Sequence, residues 1–265
     1  MPTQTVTSLV LIGAGRVGSR LGPALFRKGI RILQVADKDH RAARKVASLI
    51  GAEAISSTVS LSDRADGYLF TVPDDAVAGI AATLRLPVKL VIHTSGSVRL
   101  EELLPVSDQA GVLYPLQTFT PGNRIDFRKI PVCVEASTPE ALERTLFLAR
   151  LLSPEVHFLD SDQRSLLHLA AVMAANFSNY LYAVAEDLLQ EENIPFRILE
   201  PLIRTTAGNA GKANLLDRQT GPAARGDTGI TKRHLRMLEQ HPRYREIYRI
   251  MTESITQSLR DHGKL

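Results

Sequence analysis

The stretch "SLVLIGAGRVGSRLG", residues 8–22, decides the fold. The run 8–13, "SLVLIG", is a short apolar run of the kind that makes a buried strand, and the amphipathic run from Arg16 reads as a helix closed by Gly29. Between them, Gly13, Ala14, Gly15, Arg16, Val17 and Gly18 form a GxGxxG loop. Each glycine has its own task. Gly13 permits the tight turn, Gly15 lets a pyrophosphate approach the backbone, and Gly18 lets helix and strand pack closely. The start of the helix then offers free N–H groups and a partial positive charge to phosphates. In this strand–turn–helix context the loop is expected to hold a dinucleotide.

Further along, short apolar runs keep alternating with amphipathic ones. Strands are expected at 31–37, 67–72, 89–95, 112–116, 130–136 and 156–160. Asp74 or Asp75 is placed to cap one helix, and Ser137 or Thr138, with Pro139 in the first turn, to cap another. After Asp160 no strand pattern appears, and four helical stretches follow, the first running from Ser161 to Glu192. The expected fold is therefore α/β. A Rossmann-type, doubly wound, mainly parallel sheet over residues 1–160 binds the dinucleotide, and an all-helical domain over 161–265 serves substrate binding and dimerisation.

Composition narrows the function classes. Of 265 residues 44% are hydrophobic and 23% charged, an ordinary balance for a soluble protein. The net charge of +4 is spread along the chain, aromatics are only 5% and Trp is absent, so nucleic-acid binding is not expected. No apolar run is long enough to span a membrane. No basic leader precedes the first apolar run, and the single cysteine, Cys133, fits a reducing compartment, so a cytoplasmic location is expected. The seven histidines show no HxH or HxxxH spacing, and no metal site is expected.

In an open parallel sheet, ligands lie beyond the carboxyl ends of the strands. Asp37 closes the second strand and can accept bonds from both hydroxyls of an adenosine ribose, which favours NAD. Lys38, Arg41 and Arg44 could instead hold the 2′-phosphate of NADP, and the balance leans to NAD. Val72 and Pro73 end one strand at this edge, and His93, Thr94, Ser95 and Gly96 end another. Their polar groups can face a nicotinamide or a substrate carbonyl, with His93 as one candidate acid. Along 165–189, Leu166, Met173, Phe177, Tyr180, Val184 and Leu188 make an apolar stripe at helical spacing. His168, Asn179 and Glu186 fall nearly in line opposite, with Asn176 on the flank and small apolar residues between. That is the composition of a cleft wall. His168 can pass a proton to a carbonyl undergoing hydride transfer, and Asn179 can orient that carbonyl. Near the chain end, "TGPAARGD" (220–227) offers Arg225, whose forked guanidinium suits a substrate carboxylate, with Thr220 beside it. Asp227 is placed to cap the next helix.

The glycine loop, "TVPDDAV", "HTSGS", "YPLQTF", "HLAAVMAANFSNYL" and "TGPAARGD", in this order, resemble a family of NAD(P)-dependent oxidoreductases with a Rossmann-like N-terminal domain and a C-terminal domain of unknown function. The resemblance covers nearly the whole chain. That family is similar to ketopantoate reductase, pyrroline-5-carboxylate reductase, prephenate dehydrogenase and the β-hydroxyacid dehydrogenases. It implies a cofactor on Gly13–Gly18, a substrate cleft between domains and a homodimer built through the C-terminal helices. The chain departs from it at Tyr114-Pro115, where the family usually has His-Pro. The lysine of the β-hydroxyacid relatives has no counterpart, because Val172 lies one turn after His168. The expected activity is hydride transfer between nicotinamide and a small oxo- or imino-acid. The alternative is a sensor or scaffold that binds the cofactor without turnover.

Overall fold

The computed structural model describes residues 5–120, 122–212 and 214–265. Eight strands form one sheet: β1 (Ser8–Ile12), β2 (Arg31–Ala36), β3 (Glu53–Ile55), β4 (Gly67–Phe70), β5 (Leu90–His93), β6 (Ala110–Pro115), β7 (Val132–Ala136) and β8 (Val156–Phe158). Their order is β3-β2-β1-β4-β5-β6-β7-β8. The first six are parallel, β7 pairs antiparallel with β6, and β8 runs parallel to β7. The α/β fold expected from the sequence is the observed one. From β1 the chain winds outward through β2 and β3, then returns to β4 on the other side of β1. The carboxyl ends of β1 and β4 thus flank the switch point of the sheet, the place where an open α/β sheet leaves a crevice.

Helices cover both faces. The helices α1 (Gly18–Arg27), α2 (His40–Ile50) and α4 (Pro139–Leu152) bury Leu21, Leu25, Val46, Ile50 and Leu148 against Leu9 and Leu11 of β1. On the opposite face α3 (Asp74–Thr83) and a turn of 3₁₀ helix at Leu100–Leu103 bury Val77, Ala81 and Leu103 against Val10 and Ile12. Strand residues alternate between the two layers, as period-two geometry requires. Thr138 caps α4 by accepting from the Ala141 N–H at 3.1 Å. Neither Asp74 nor Asp75 caps α3; Pro73 occupies that position, and both carboxylates lie in the first turn.

The long helix expected from Ser161 to Glu192 is interrupted. It comprises α5 (Ser161–Ala171), a π-helical segment Val172–Phe177 and α6 (Ser178–Glu191). Bonds of the i→i+5 type take up extra residues per turn, so an α-helical count cannot be carried across the segment. The expected alignment of Asn179 with Glu186 falls within α6, whereas the count from His168 to them crosses this segment.

The chain divides into two compact units, Met1–Phe177 and Ser178–Leu265. The compositional change at residue 160 comes earlier because α5 belongs with the sheet. The second unit holds α6, α7 (Glu200–Asn209), α8 (Thr228–Met237) and α9 (Pro242–Asp261). Within it, Tyr244 donates to Asp187 at 2.6 Å, and His241 meets Glu191 at 3.2 Å. Its only buried apolar side chains among the described residues are Leu238 and Leu259.

Candidate functional site

The site grows from the end of β1. Gly13 has φ +105°, a conformation that side-chain-bearing residues rarely adopt, and a Cβ there would lie 2.7 Å from the Thr71 backbone. A Cβ on Gly18 would strike the Gly13 carbonyl and the Thr71 hydroxyl. That hydroxyl, buried at the end of β4, donates to Gly13 O at 2.7 Å. Gly15 differs from both: nothing lies within 4 Å of where its Cβ would be. Two glycines therefore close the turn, and the third keeps space open above it.

Backbone donors line that space. The Gly13 N–H is used by Ala36 O and the Ala14 N–H by the Asp37 carboxylate, each at 2.7 Å. The N–H groups of Gly15, Arg16 and Val17 donate to nothing among the described residues. Three successive free donors at a helix start, over an open space, fit the pyrophosphate of a dinucleotide. Asp37 also accepts from the Asp39 N–H at 2.8 Å, so each of its oxygens already holds one backbone bond and keeps a lone pair for a further donor.

A row of contacts continues along the carboxyl edge. The Ser97 hydroxyl donates to Asp74 in the first turn of α3, next to Val72 and Pro73. Ser95 Oγ accepts from the N–H groups of Ser97 and Val98 at 3.0 and 2.9 Å, which shapes the loop after β5. Thr94 turns inward and donates to Phe70 O at 3.2 Å. His93 is fully buried. Burial, reinforced by the neighbouring Arg164 cation, lowers its pKa to about 3 and keeps the imidazole neutral. Its Nδ1 accepts from the Ser95 N–H at 3.2 Å, and its buried Nε2 has no partner among the described residues.

At the next position along the edge, α5 crosses the loop. A Cβ on Gly96 would lie 2.7–2.9 Å from the His168 side chain, so the imidazole rests on the Gly96 backbone. Tyr114, near the end of β6, reaches His168 Nδ1 with its hydroxyl at 3.1 Å, the two rings meeting edge to face. Burial raises the Tyr114 pKa to about 12. Arg164, one turn before His168, is completely buried. It donates to the Glu135 carboxylate, to Val98 O and, at 3.2 Å, to Ser95 O. Glu135 in turn accepts from Ser161 at 3.0 Å. This cluster fastens the first turns of α5 to β7 and to the 95–98 loop, and so fixes where His168 stands.

The first unit therefore brings together Gly13–Gly18, Asp37, Val72–Asp74, His93–Ser97 and His168. Asn176 belongs to the π-helical segment and is exposed. Asn179, Thr220 and Arg225 lie in the second unit, each exposed. There Gly221 and Gly226 take φ of +96° and +66°, the Arg225 N–H donates to Gly221 O at 3.2 Å, and Asp227 caps α8 through the Ile230 N–H at 3.1 Å. The Arg225 guanidinium has no partner among the described residues. Sequence reasoning marked Tyr114 only as a departure from the family pattern, gave it no role, and missed Arg164 and Glu135. Tyr114 was within reach of it, because its strand ends at the edge where ligands bind. Arg164 resembles any charge in the first turn of a helix.

A family model for a Rossmann-like domain matches residues 3–118, and one for the domain of unknown function DUF2520 matches residues 130–255. A crystal structure named as a "putative NADP oxidoreductase" from Bacteroides fragilis is 36% identical, with a TM-score of 0.86, over 95% of this chain and 98% of that one. A Thermotoga maritima protein is 21% identical, with a TM-score of 0.73, over 94% of this chain and 99% of that one. A reductive aminase from Aspergillus terreus, in complex with NADPH and ethyl levulinate, is 16% identical, with a TM-score of 0.69, over 97% of this chain and 95% of that one. The last two share the fold. No curated protein matches the chain.

Proposed function

This chain belongs to the family that joins a Rossmann-like domain to the DUF2520 domain, and from that premise we propose that it is a cytoplasmic nicotinamide-dependent oxidoreductase acting on a small oxo- or imino-acid. The observation that carries the reading is the set of three unused N–H donors at Gly15, Arg16 and Val17 above an open space, in one row with His168. The relative from Bacteroides is named an NADP oxidoreductase, and the fold recurs in imine reductases and reductive aminases, which supports the class of reaction.

When bound, the nicotinamide supplies or accepts the hydride. The chain does the rest. The loop N–H groups and the start of α1 bind the two phosphates. Asp37 accepts from the ribose hydroxyls, which favours NAD(H), because a carboxylate repels a 2′-phosphate. His168 delivers the proton that must accompany hydride addition to a C=O or C=N carbon, and Asn176 and Asn179 orient the acceptor atom. Arg225, assisted by Thr220, grips the substrate carboxylate with a planar pair of donors. His93, buried and neutral, serves the floor of the site and takes no proton from the substrate.

The second unit supports one further part of the reading. Among the described residues it buries two apolar side chains, and a second copy of the chain covers its exposed ones. Screening oxo- and imino-acids for oxidation of NADH or NADPH tests the proposal. Turnover is expected, and His168→Ala should lower kcat about 10²-fold or more with cofactor affinity intact. Normal turnover by the variant would remove His168 from the mechanism.

A further inference from the structure

Among the described residues Tyr114 is the one side chain that hydrogen-bonds to His168, and the bond has a direction with a consequence. Either the phenol donates to Nδ1, or an Nδ1–H donates to the phenol oxygen. The surroundings decide between them. The Tyr114 hydroxyl has no other acceptor among the described residues, so in the second arrangement its own hydrogen would be left unpaired in a partly buried site. In the first, phenol hydrogen and imidazole lone pair satisfy each other. Burial holds Tyr114 protonated up to about pH 12, so this donor does not switch off. Nothing allows the imidazole to turn away. Its ring rests on Gly96, where even a methyl group would lie within 3 Å of it, and its helix is anchored by Arg164 to Glu135, Ser95 and Val98. Tyr114 is itself held in the sheet, paired with Cys133 across the antiparallel β6–β7 ladder.

We propose that Tyr114 is a positioning residue that donates to Nδ1 of His168, fixes the neutral imidazole as the Nε2–H tautomer, and so makes Nε2–H the donor that meets the substrate; as that proton passes to the substrate, Nδ1 takes the Tyr114 hydroxyl proton and the phenol regains one from water. Which nitrogen of a histidine carries the hydrogen is set by the bond the other nitrogen makes. Nε2 hydrogen-bonds to nothing among the described residues, which leaves it for a ligand. The tautomer follows from the contact alone; its role in proton delivery rests on the proposed function of His168.

The test has two arms. Long-range proton–nitrogen correlation spectra of the full chain, labelled with ¹⁵N and held at alkaline pH where imidazoles are neutral, report the tautomer of each histidine. His168 is identified as the pattern missing from His168→Gln. The expected result is a single pattern, with hydrogen on Nε2 and a hydrogen-bonded, unprotonated Nδ1. Tyr114→Phe keeps the ring, removes only the hydroxyl, and should move the Nδ1 resonance and mix the tautomers. Hydrogen on Nδ1 in the wild type, or a His168 pattern untouched by Tyr114→Phe, overturns the proposal.

The second arm is kinetic. Tyr114→Phe should lower kcat about tenfold, less than the loss expected on removing the donor itself, with KM and cofactor affinity unchanged. It should cost nothing further in a His168→Ala background. An equal loss in that background would show Tyr114 acting on the substrate directly, and would also overturn the proposal. If no oxo- or imino-acid is turned over, the functional reading fails while the spectra still decide the tautomer.

Discussion

The two units of this chain differ in where their apolar side chains go. In the first, strand residues such as Leu9, Leu11 and Leu69 are fully buried between helices on both faces. In the second, Ile198, Leu202 and Met237 are each more than 60% exposed, and Leu238 and Leu259 are the only buried apolar side chains among the described residues. At roughly 25 cal/mol per Å² of apolar area removed from water, the first unit has its stabilisation in place and the second does not. The polar bonds show the same contrast. Arg164 of the first unit is buried with Glu135, while Arg249 of the second pairs with Glu246 and Glu253 in solvent. Among the described residues, the buried apolar side chains thus belong almost entirely to the sheet unit.

The largest effect should follow from disturbing the uncovered face. Leu202 is 63% exposed in α7. If a second copy covers it, wild type sediments as a dimer at micromolar concentration and Leu202→Glu as a monomer. A monomeric wild type would break the comparison, leaving the helical unit without its missing cover.

Next in size is the buried arginine. Arg164→Met strips Glu135 of its cation and leaves two carbonyls without their donor, which should cost about 3–5 kcal/mol in denaturant unfolding. Arg249→Met removes an equally well-formed but solvated pair, and its melting temperature should match wild type. Similar shifts for both would mean that the two units do not differ in the way their burial indicates.

A smaller effect is set by pH. The folded-state pKa of His93, lowered to about 3 by burial and by Arg164, lies below the ordinary value near 6.5. Below pH 6.5 the unfolded chain takes up a proton that the folded chain refuses, so this contribution to stability is complete above 6.5 and is lost on acidification towards 3. His93→Asn keeps an acceptor for the Ser95 N–H and removes the titration. Wild type should lose about 1.4 kcal/mol per pH unit relative to the variant between pH 6.5 and 4. Parallel pH profiles would place His93 in contact with water.

The same contrast explains what could be read from the sequence. The strands of the first unit announce themselves because a run such as Leu9–Ile12 is apolar on both faces, and GxGxxG gives a turn only glycine can make. The strand β3 was missed, since Glu53–Ile55 is three residues at a sheet edge with no apolar run. The π-helical segment was invisible as well: Val172–Phe177 contains neither Gly nor Pro to mark a break in the α-helical winding. In the second unit an apolar stripe looks the same whether it is buried or exposed, so the exposure of Ile198, Leu202 and Met237 could not be seen. Among site residues, the glycine loop was legible because its chemistry is in the backbone. Tyr114 and Arg164 act through partners 54 and 29 positions away, His168 and Glu135, and no local pattern marks such pairs.

The central claim is that the loop at Gly13–Gly18 holds a nicotinamide dinucleotide, and Gly15 offers a clean test. Nothing in the protein lies within 4 Å of a Cβ at that position, so Gly15→Val should fold and melt like wild type, its side chain filling only the space meant for phosphates. Calorimetric titration of NADH and of NADPH into both proteins is the measurement. Wild type should bind both, NADH the tighter, and the variant should bind neither. Tenfold tighter NADPH, about 1.4 kcal/mol, would transfer cofactor choice from Asp37 to Lys38, Arg41 or Arg44. Unchanged affinity in a folded Gly15→Val would contradict the claim itself.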